Sequence, residues 1–357
     1  MLRLKHISIT QYKNYEYFNL PLEKMVVGIS GKNGRGKTNL LDAVFYGCFT
    51  RSYFSSTDQM CTRQGESGFR LELDFELDDA IKKVVCIYRG GNKKEILLND
   101  VPYDKFSRHI GLFPVVMIAP DDIELITDGS ELRRKFIDTM ISQLNPDYLQ
   151  HLIRYNKILA QRNSLLKQWQ HQPNTALLEI LDEQLILPGN MIHETRKQFL
   201  TNFMQVARTF YTRISGEAYV PGMQYQSALE HQPLETLLRE SRNKDIMLQR
   251  TTTGIHKDDL LFTLGELPFR NIASQGQRKS LLFALKFAEY EIIKQQKKHC
   301  LLLLDDVFEK LDAQRVQNLM QWVCEACAGQ VLITDTHHER LERTFKEVGI
   351  DAQYVNL

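Results

Sequence analysis

The stretch GKNGRGKT matches the pattern G-x-x-x-x-G-K-[ST] and carries a third glycine at one of its free positions. Glycines at these places let the backbone wrap phosphate oxygens with its N–H groups, helped by the positive end of a following helix. We expect Lys37 to bridge the β- and γ-phosphates of a nucleoside triphosphate, and Thr38 to offer its hydroxyl to Mg²⁺. The predicted phosphate-binding residues are Gly31, Lys32, Asn33, Gly34, Arg35, Gly36, Lys37, Thr38 and Asn39.

A second acidic site ends the apolar run CLLLLDD, which is typical of a buried strand followed by two carboxylates. We expect Asp305 to hold the water shell of Mg²⁺ and Asp306 to polarise the attacking water, so these two and Lys37 are the predicted catalytic residues. A phosphate-binding loop alone fits kinases, GTPases and motor-like ATPases equally. Compact nucleotide kinases place the acidic strand much closer to the loop, so the long separation here indicates a large insertion.

The segment ASQGQRKS lies one helix before the acidic strand and contains Ser274, Gly276 and Gln277. This pattern is typical of the signature of ABC-type ATPases, which does not touch the nucleotide bound by its own subunit. In that class the serine hydroxyl, the glycine N–H and the helix N-terminus cap the γ-phosphate held by a second subunit. The alternative is an ordinary helix cap formed by Ser274. The segment therefore predicts a site that is completed in an ATP-dependent homodimer.

Strands and helices must bring these three segments together. The apolar strand MVVGIS leads into the loop, the helix TNLLDAVFYGCF follows it, and short alternating segments fill the first 120 residues. Residues 121–248 carry apolar side chains at three- and four-residue steps, which indicates helices, and strands return after residue 250. The predicted fold is α/β: an ABC-type ATPase head with a P-loop core sheet built from both chain ends, 1–120 and 249–357, plus an inserted α-helical domain at 121–248.

Composition limits the possible partners. The 357 residues hold 45 Lys and Arg against 44 Asp and Glu, so any surface for nucleic acid has to be local. The first residues lack the apolar stretch of a signal peptide, and no apolar run reaches about 18 residues, so we expect a cytoplasmic protein without membrane contact. Cys324 and Cys327 have metal-ligand spacing near His337 and His338, but no second CxxC completes a zinc site, which favours core packing.

Several stretches resemble the RecF family of DNA replication and repair proteins, relatives of the SMC-type ATPases. They include ITQYKNYEYFNL, GKNGRGKTNLLDAV, TGIHKDDLLFTL and ASQGQRKSLLFALKFAE, and the resemblance runs nearly end to end. Lys13, Ile255 and Lys257 stand where the family usually has Arg, Pro and Arg. In the segment EKLD only Asp312 matches the family's D-loop. Asp306 is shorter than the Glu of most ABC-type proteins, which predicts slow hydrolysis, and RecF-like proteins usually share this Asp.

The resemblance implies ATP and Mg²⁺ as cofactors. It implies a cycle in which ATP clamps two subunits face to face, the dimer holds gapped, single-stranded or duplex DNA, and slow hydrolysis releases the DNA. It also implies work with RecR and RecO to load recombinase onto coated single strands. Tyr12 with Lys13, and Arg51, are candidate contacts to the adenine or the α-phosphate. Candidate contacts to DNA phosphates are the basic residues Arg133, Arg134, Lys135, Arg278 and Lys279.

Three other classes of protein stay open at this point. A transport-type ABC subunit is disfavoured by the large helical insertion and by the strand at the N-terminus. A phosphotransferase acting on a small molecule would leave Ser274 without a role. An SMC-like ATPase that serves a nuclease usually carries long coiled-coil arms or a fused catalytic domain, and the insertion here is too short for a long arm.

Overall fold

The strands and helices given below belong to the part of the chain that a computed structural model describes, which is residues 1–91, 93–170, 174–216, 220–307 and 329–357. Three residues named in the sequence analysis, Asp312, Cys324 and Cys327, lie outside the described residues. Their expected roles stay predictions.

The elements follow one another along the chain as strands, then mainly helices, then strands and helices again. The strands are β1 (Leu2–Tyr12), β2 (Tyr15–Pro21), β3 (Val26–Ser30), β4 (Gly68–Leu77), β5 (Ala80–Arg89), β6 (Lys93–Leu98), β7 (Val101–Pro102), β8 (Val115–Ile118), β9 (Gly222–Gln226), β10 (Asp259–Leu264), β11 (Leu267–Pro268), β12 (Leu301–Leu304), β13 (Val331–Asp335) and β14 (Ala352–Asn356). The α-helices are α1 (Lys37–Phe49), α2 (Glu124–Thr127), α3 (Ser130–Leu144), α4 (Pro146–Lys167), α5 (Thr175–Ser215), α6 (Leu234–Leu248), α7 (Phe269–Ile272), α8 (Gln275–Lys297) and α9 (His338–Glu347). Short 3-10 helices cover Asp58–Cys61, Phe106–Arg108, Pro120–Ile123, Ala228–Glu230 and Ile255–Lys257.

Contacts divide the chain into two compact units. The first comprises Met1–Asp122 and Leu285–Leu357, and the second comprises Ile123–Ala284. Residues 249–284, which the sequence analysis assigned to the C-terminal part of the ATPase domain, group here with the second unit because β10 pairs with β9. The three-part division of the chain into domains stays a prediction.

A parallel sheet of five strands, in the order β14-β3-β13-β12-β8, forms the core of the first unit. β8, β12 and β13 are buried along their whole length, and such continuous apolar runs suit a parallel sheet that is covered on both faces. Two of the five strands come from the first 120 residues and three from beyond residue 300. The predicted α/β core sheet built from both chain ends is thereby confirmed.

An antiparallel sheet in the order β2-β1-β4-β5-β6-β7 belongs to the same unit. Buried residues alternate with half-buried or exposed ones along most of β4, as expected for a sheet with one face on the core. β1 and β2 are joined by the two-residue turn Lys13-Asn14, with Tyr12 opposite Tyr15. This turn reaches the phosphate-binding loop, because the Asn14 side chain donates to the Arg35 carbonyl.

The second unit is mainly helical, as the apolar periodicity of residues 121–248 predicts. α4 begins where the Asn145 side chain accepts a hydrogen bond from the N–H of Tyr148, and Pro146 occupies the first turn, where a missing N–H costs least. α5 is a 41-residue helix that begins at an Asn174 cap and contains Pro188. A three-stranded sheet in the order β11-β10-β9 completes this unit.

Candidate nucleotide site

The phosphate-binding loop lies between β3 and α1. β3 is buried from Val27 onward and α1 begins at Lys37, so core elements hold both ends of the loop. Gly34 and Gly36 have φ angles of 81° and 105°, in the left-handed region that glycine adopts at little cost. A Cβ on Gly36 would lie 2.5 Å from Asn14 Nδ2, so the backbone passes here only because it carries no side chain.

A cavity of about 150 Å³ opens on this loop. Its lining consists of Asn33, Gly34, Gly36, Lys37, Thr38, Asn39 and Asp306. N–H groups at a helix N-terminus together with a lysine bind phosphate oxygens, and hydroxyl and carboxylate oxygens are the donors that Mg²⁺ prefers. The residues present therefore fit the terminal phosphates of a nucleoside triphosphate and a magnesium ion. Of the other predicted loop residues, Lys32 and Arg35 are exposed and Gly31 is buried.

The turn between β1 and β2 clamps the loop from one side. Asn14 Nδ2 donates to the Arg35 carbonyl at 3.2 Å, and the Tyr15 hydroxyl donates to the Gly36 carbonyl at 3.0 Å. Asn39 Nδ2 in turn donates to Asn14 Oδ1 at 2.7 Å. Sequence reasoning missed Asn14 and Tyr15, although both lie in the stretch ITQYKNYEYFNL that carries part of the family resemblance. Their role is to hold the loop backbone in its unusual conformation.

The two carboxylates lie just beyond β12, beside the first turn of α1. Asp305 Oδ2 accepts from Thr38 Oγ1 at 2.8 Å, and Asp305 Oδ1 accepts from Thr334 Oγ1 at 2.8 Å. Burial raises the pKa of Asp305 above its usual range, and these hydrogen bonds and the Lys37 ammonium act against that rise. Thr334 also accepts from the Asp306 N–H at 2.9 Å. Thr334 is a second residue that sequence reasoning missed, since it reaches the site only because β13 pairs with β12.

The ammonium of Lys37 is almost fully buried, with 4% of the residue exposed. Its Nζ donates to the Gly31 carbonyl at 2.8 Å and lies 3.9 Å from Asp306 Oδ2. The φ of Asp306 is 45°, a left-handed conformation that Asp tolerates better than most residues. Of the three predicted catalytic residues, Lys37 and Asp306 thus line the cavity, and Asp305 is hydrogen-bonded to Thr38, which also lines it.

Lys13 and Tyr12 contact α1 at Asp42, beyond the first turn that borders the cavity. Lys13 Nζ lies 2.6 Å from Asp42 Oδ2 in α1, and the Tyr12 hydroxyl donates to the same oxygen at 2.6 Å. Lys13 Nζ also lies 5.3 Å from the Phe54 ring centroid. The Arg51 guanidinium lies 6.0 Å from the Phe49 ring centroid. Lys13 is not among the residues that line the cavity, and its contact with the nucleotide stays a prediction.

The signature segment begins α8 in the second unit. The Ser274 N–H donates to Gln277 Oε1 at 2.9 Å and the Gln277 N–H donates to Ser274 Oγ at 3.2 Å, which is the reciprocal pattern of a capping box. Ser274 is exposed and Gly276 is half-buried. Ser274 therefore caps its own helix, as the alternative interpretation predicts, and it also presents the N-terminal end of a 23-residue helix to solvent.

Three of the candidate DNA contacts, Arg133, Arg134 and Arg278, are engaged with the protein itself, and Arg134 Nη1 donates to the Asp258 carbonyl at 2.7 Å. Arg133 is buried and forms a two-pronged ion pair with Asp259, at 2.6 and 3.0 Å. The expectation that Arg133 meets DNA phosphates is wrong for this arrangement, because its guanidinium faces a carboxylate in the interior. Arg278 Nη2 donates to the Arg270 carbonyl at 2.9 Å. Lys135 remains exposed.

Comparison with known proteins decides the family. A family model described as an AAA domain matches residues 6–321. The DNA replication and repair protein RecF of Flavobacterium johnsoniae is 40% identical over 359 residues and covers 100% of both chains. This chain belongs to the RecF family. The RecF of Bacteroides thetaiotaomicron is 39% identical over 350 residues, covering 98% of this RecF-family chain and 95% of that protein.

Solved structures agree with this assignment. A structure of the recombination mediator protein RecF-ATP in the RecFOR pathway superposes with a TM-score of 0.87 at 30% identity, covering 94% of this chain and 92% of that one. An Smc head domain from Pyrococcus furiosus, with a TM-score of 0.54 at 14% identity, covers 96% of this chain and 92% of that one and shows the shared fold alone. The RecF-family chain is an ABC-type ATPase of DNA replication and repair, as predicted. No helix among the described residues has the length and apolar character needed to cross a membrane.

Proposed function

We propose that this RecF-family chain binds ATP with Mg²⁺ at the cavity beside Lys37 and hydrolyses it slowly. The observation that carries the proposal is the Asp305 carboxylate, whose two oxygens accept hydrogen bonds from Thr38 and Thr334. These contacts join the start of α1, the end of β12 and the end of β13 at one point. A carboxylate placed beside the loop hydroxyl is the arrangement that a magnesium site next to bound phosphates requires.

Each group in the site has its own task. The N–H groups of the loop around Gly34 and Gly36 bind phosphate oxygens, and the Lys37 ammonium adds a charge-assisted hydrogen bond. Thr38 and Asp305 would hold Mg²⁺. When bound, this ion neutralises negative charge on the β- and γ-phosphate oxygens. The first turn of α1 therefore binds the part of ATP where charge develops during hydrolysis.

Asp306 is the residue that we propose to act on the attacking water. Its carboxylate lines the cavity, and its backbone N–H is fixed by the Thr334 hydroxyl. A carboxylate that accepts a hydrogen bond from the water orients a lone pair toward the γ-phosphorus, whose bond to the bridging oxygen then breaks. The side chain of Asp is shorter than that of Glu, so the water is held less closely and hydrolysis is slow.

We further propose that ATP bridges two copies of the chain through Ser274, Gly276 and Gln277. The exposed Ser274 hydroxyl and the helix N-terminus behind it are available to a γ-phosphate held by a second copy. The dimer would hold DNA at single-strand gaps and at single-stranded or duplex flanks, and would act with RecR- and RecO-like proteins in the cytoplasm. The assignment of one solved relative to the RecFOR pathway supports this partner set.

The ATP site is tested by comparing the wild type with Lys37→Ala and Asp306→Asn. Removing the ammonium should weaken ATP binding about ten- to 150-fold, since a hydrogen bond to a charged group is worth about 1.5–3 kcal/mol. Asp306→Asn keeps the size of the side chain, so ATP affinity should change little while hydrolysis falls by about 100-fold or more. Equilibrium nucleotide binding and phosphate release measure the two effects separately. Wild-type hydrolysis by Asp306→Asn would contradict the role of this residue.

A further inference from the structure

Three buried arginines of the second unit are each paired with an acid. Arg162 Nη1 lies 2.7 Å from Asp245 Oδ2, and Arg196 Nη1 lies 2.9 Å from Asp258 Oδ2. The third is Arg133, whose pair with Asp259 is described above. Buried charges of this kind are stable only when paired and hydrogen-bonded. Each of the three acids within residues 245–259 therefore already forms an ion pair with one of these arginines.

The same acids are also saturated by hydrogen bonds from neutral groups. Asp245 Oδ1 accepts from the Thr252 N–H at 2.8 Å and from the Thr252 hydroxyl at 2.6 Å. Asp258 Oδ2 accepts from the Tyr225 hydroxyl at 2.5 Å. Asp259 Oδ1 accepts from the Leu260 N–H at 2.8 Å. Little carboxylate capacity is left for any other cation nearby.

Three further cations lie at the outer side of this cluster: Arg134, Arg250 and Lys257. Arg134 is half-buried, and the other two are exposed. Among the described residues none of the three takes part in an ion pair, although Arg250 and Lys257 lie within a few residues of Asp245 and Asp258 in sequence and Arg134 reaches the Asp258 carbonyl through space. Their neighbours on the inner side form the ion pairs with those acids, so the acids offset the charges of the outer three only in part.

The backbone fixes where these three cations lie. Arg134 Nη1 donates to the Asp258 carbonyl at 2.7 Å, which holds its guanidinium beside the residue that follows Lys257. The Lys257 N–H donates to the Gly254 carbonyl at 2.9 Å and closes the Ile255–Lys257 turn. The Arg250 N–H donates to the Asp245 carbonyl at 3.1 Å. These hydrogen bonds thus fix the Arg134 guanidinium and the backbone positions from which the Arg250 and Lys257 side chains extend.

Nearby positive charges act on the pKa values of Lys257 and Arg134. Burial first, and then the charges of Arg250 and Arg134, lower the pKa of Lys257. Burial and the charge of Arg196 lower the pKa of Arg134, against the opposite effect of nearby acids. His256 lies within the same turn, with Nδ1 2.9 Å from the Tyr155 hydroxyl, and burial lowers its pKa to about 4, so it adds no charge at neutral pH. An anion bound beside these cations would reduce the repulsion between their positive charges.

We infer that Arg134, Arg250 and Lys257 form a contact site for the phosphates of a nucleic-acid backbone. The inference rests on the proposed DNA-binding function and names a surface for it. The planar fork of Arg134 suits two oxygens of one phosphate, while Arg250 and Lys257 contribute charges that reach outward. An exposed set of cations gains its affinity from a polyanion by summed contacts and release of counterions. Such a site contacts the phosphates of the nucleic-acid backbone and does not discriminate between base sequences.

The test is the double variant Arg250→Gln/Lys257→Gln, in which both altered side chains are exposed, compared with Arg208→Gln on α5 of the same unit. Affinity for gapped and duplex DNA is measured with ATP over a series of salt concentrations. Loss of two phosphate contacts should reduce the slope of log K against log salt by about 2, for every DNA sequence alike. The control should keep the wild-type slope, and thermal unfolding should show all three proteins equally folded.

The outcomes separate this inference from the proposed function. Wild-type protein that retains no DNA with ATP contradicts the proposed DNA-binding function. Wild type that binds DNA with a slope equal to that of the double variant overturns the site and leaves the function standing. Inorganic phosphate alone is titrated in parallel. Saturable phosphate binding that the double variant loses, with an unchanged DNA slope, would also overturn the site, because the cations would then serve a free anion.

Discussion

Gly34→Ala and Gly36→Ala form a matched pair that tests how the phosphate-binding loop is held. Both positions have positive φ, so an alanine at either one costs about 1–2 kcal/mol of backbone strain. They differ in their surroundings. A Cβ on Gly34 meets nothing within 4 Å, whereas a Cβ on Gly36 lies 2.5 Å from Asn14 Nδ2 and 2.9 Å from the Tyr15 hydroxyl oxygen.

An alanine in place of Gly36 has a second energetic cost, because the Asn14 and Tyr15 side chains form hydrogen bonds to the loop. Making room on Gly36 displaces Asn14 from the Arg35 carbonyl and Tyr15 from the Gly36 carbonyl. Each lost bond is worth about 0.5–1.5 kcal/mol. Gly36→Ala should therefore cost about 1–3 kcal/mol more than Gly34→Ala. In a unit of this size each kcal/mol lowers the melting temperature by about 2–4 °C, which gives a further fall of about 2–12 °C.

Thermal unfolding of the nucleotide-free variants measures this difference. Asn14→Ala supplies the internal control, because it removes the side chain that a Cβ on Gly36 would strike. The double variant Asn14→Ala/Gly36→Ala should then be less destabilised than the sum of the single variants, as is usual for residues in contact. Equal melting temperatures for Gly34→Ala and Gly36→Ala would refute the clamp formed by Asn14 and Tyr15.

Three further predictions concern other parts of the chain. Thr334→Val removes the hydroxyl that serves Asp305 and should destabilise the fold by about 1–3 kcal/mol in denaturant unfolding and slow phosphate release; an unchanged rate would show that the contact has no functional role. His109 is buried and its pKa is lowered from 6.5 to about 4 by burial, so the stability it contributes is present above pH 6.5 and is lost as the pH falls through 4. The loss is on the order of 3 kcal/mol, and His109→Gln should flatten the pH profile of the melting temperature between those values. Arg133→Met leaves the carboxylate of Asp259 without its cation and should destabilise the chain by about 3–5 kcal/mol, while a variant as stable as the wild type would contradict the pairing.

The site residues that the sequence predicts lie within short contiguous motifs. The loop, the acidic strand and the signature each carry their predicted residues within a few positions, so spacing alone identifies them as candidates. Asn14, Tyr15 and Thr334 could not be found in this way. Each comes from a separate strand or turn, and its role depends on strand pairing and on the direction of one side chain.

The sequence alone also could not show which charged side chains are paired in the interior. Arg133 in the run ELRRKF reads as an exposed basic group, but its partner Asp259 is 126 residues away in the chain. The fold determines that Arg133 is buried in an ion pair, whereas its neighbour Arg134 is only half-buried. The pairing of β10 with β9 likewise depends on distant residues, so residues 249–284 could not be placed in their compact unit from local pattern.

Sedimentation of the purified chain, with and without ATP and with gapped DNA present, tests the central claim most directly. The account predicts that ATP converts the chain into a dimer that sediments with the DNA. Ser274→Arg should still bind ATP as a monomer but should fail to form the dimer, because the large cation blocks the face that caps a second copy's γ-phosphate. A chain that remains monomeric with ATP and leaves the DNA behind, or a Ser274→Arg variant that dimerises as the wild type does, would contradict the account.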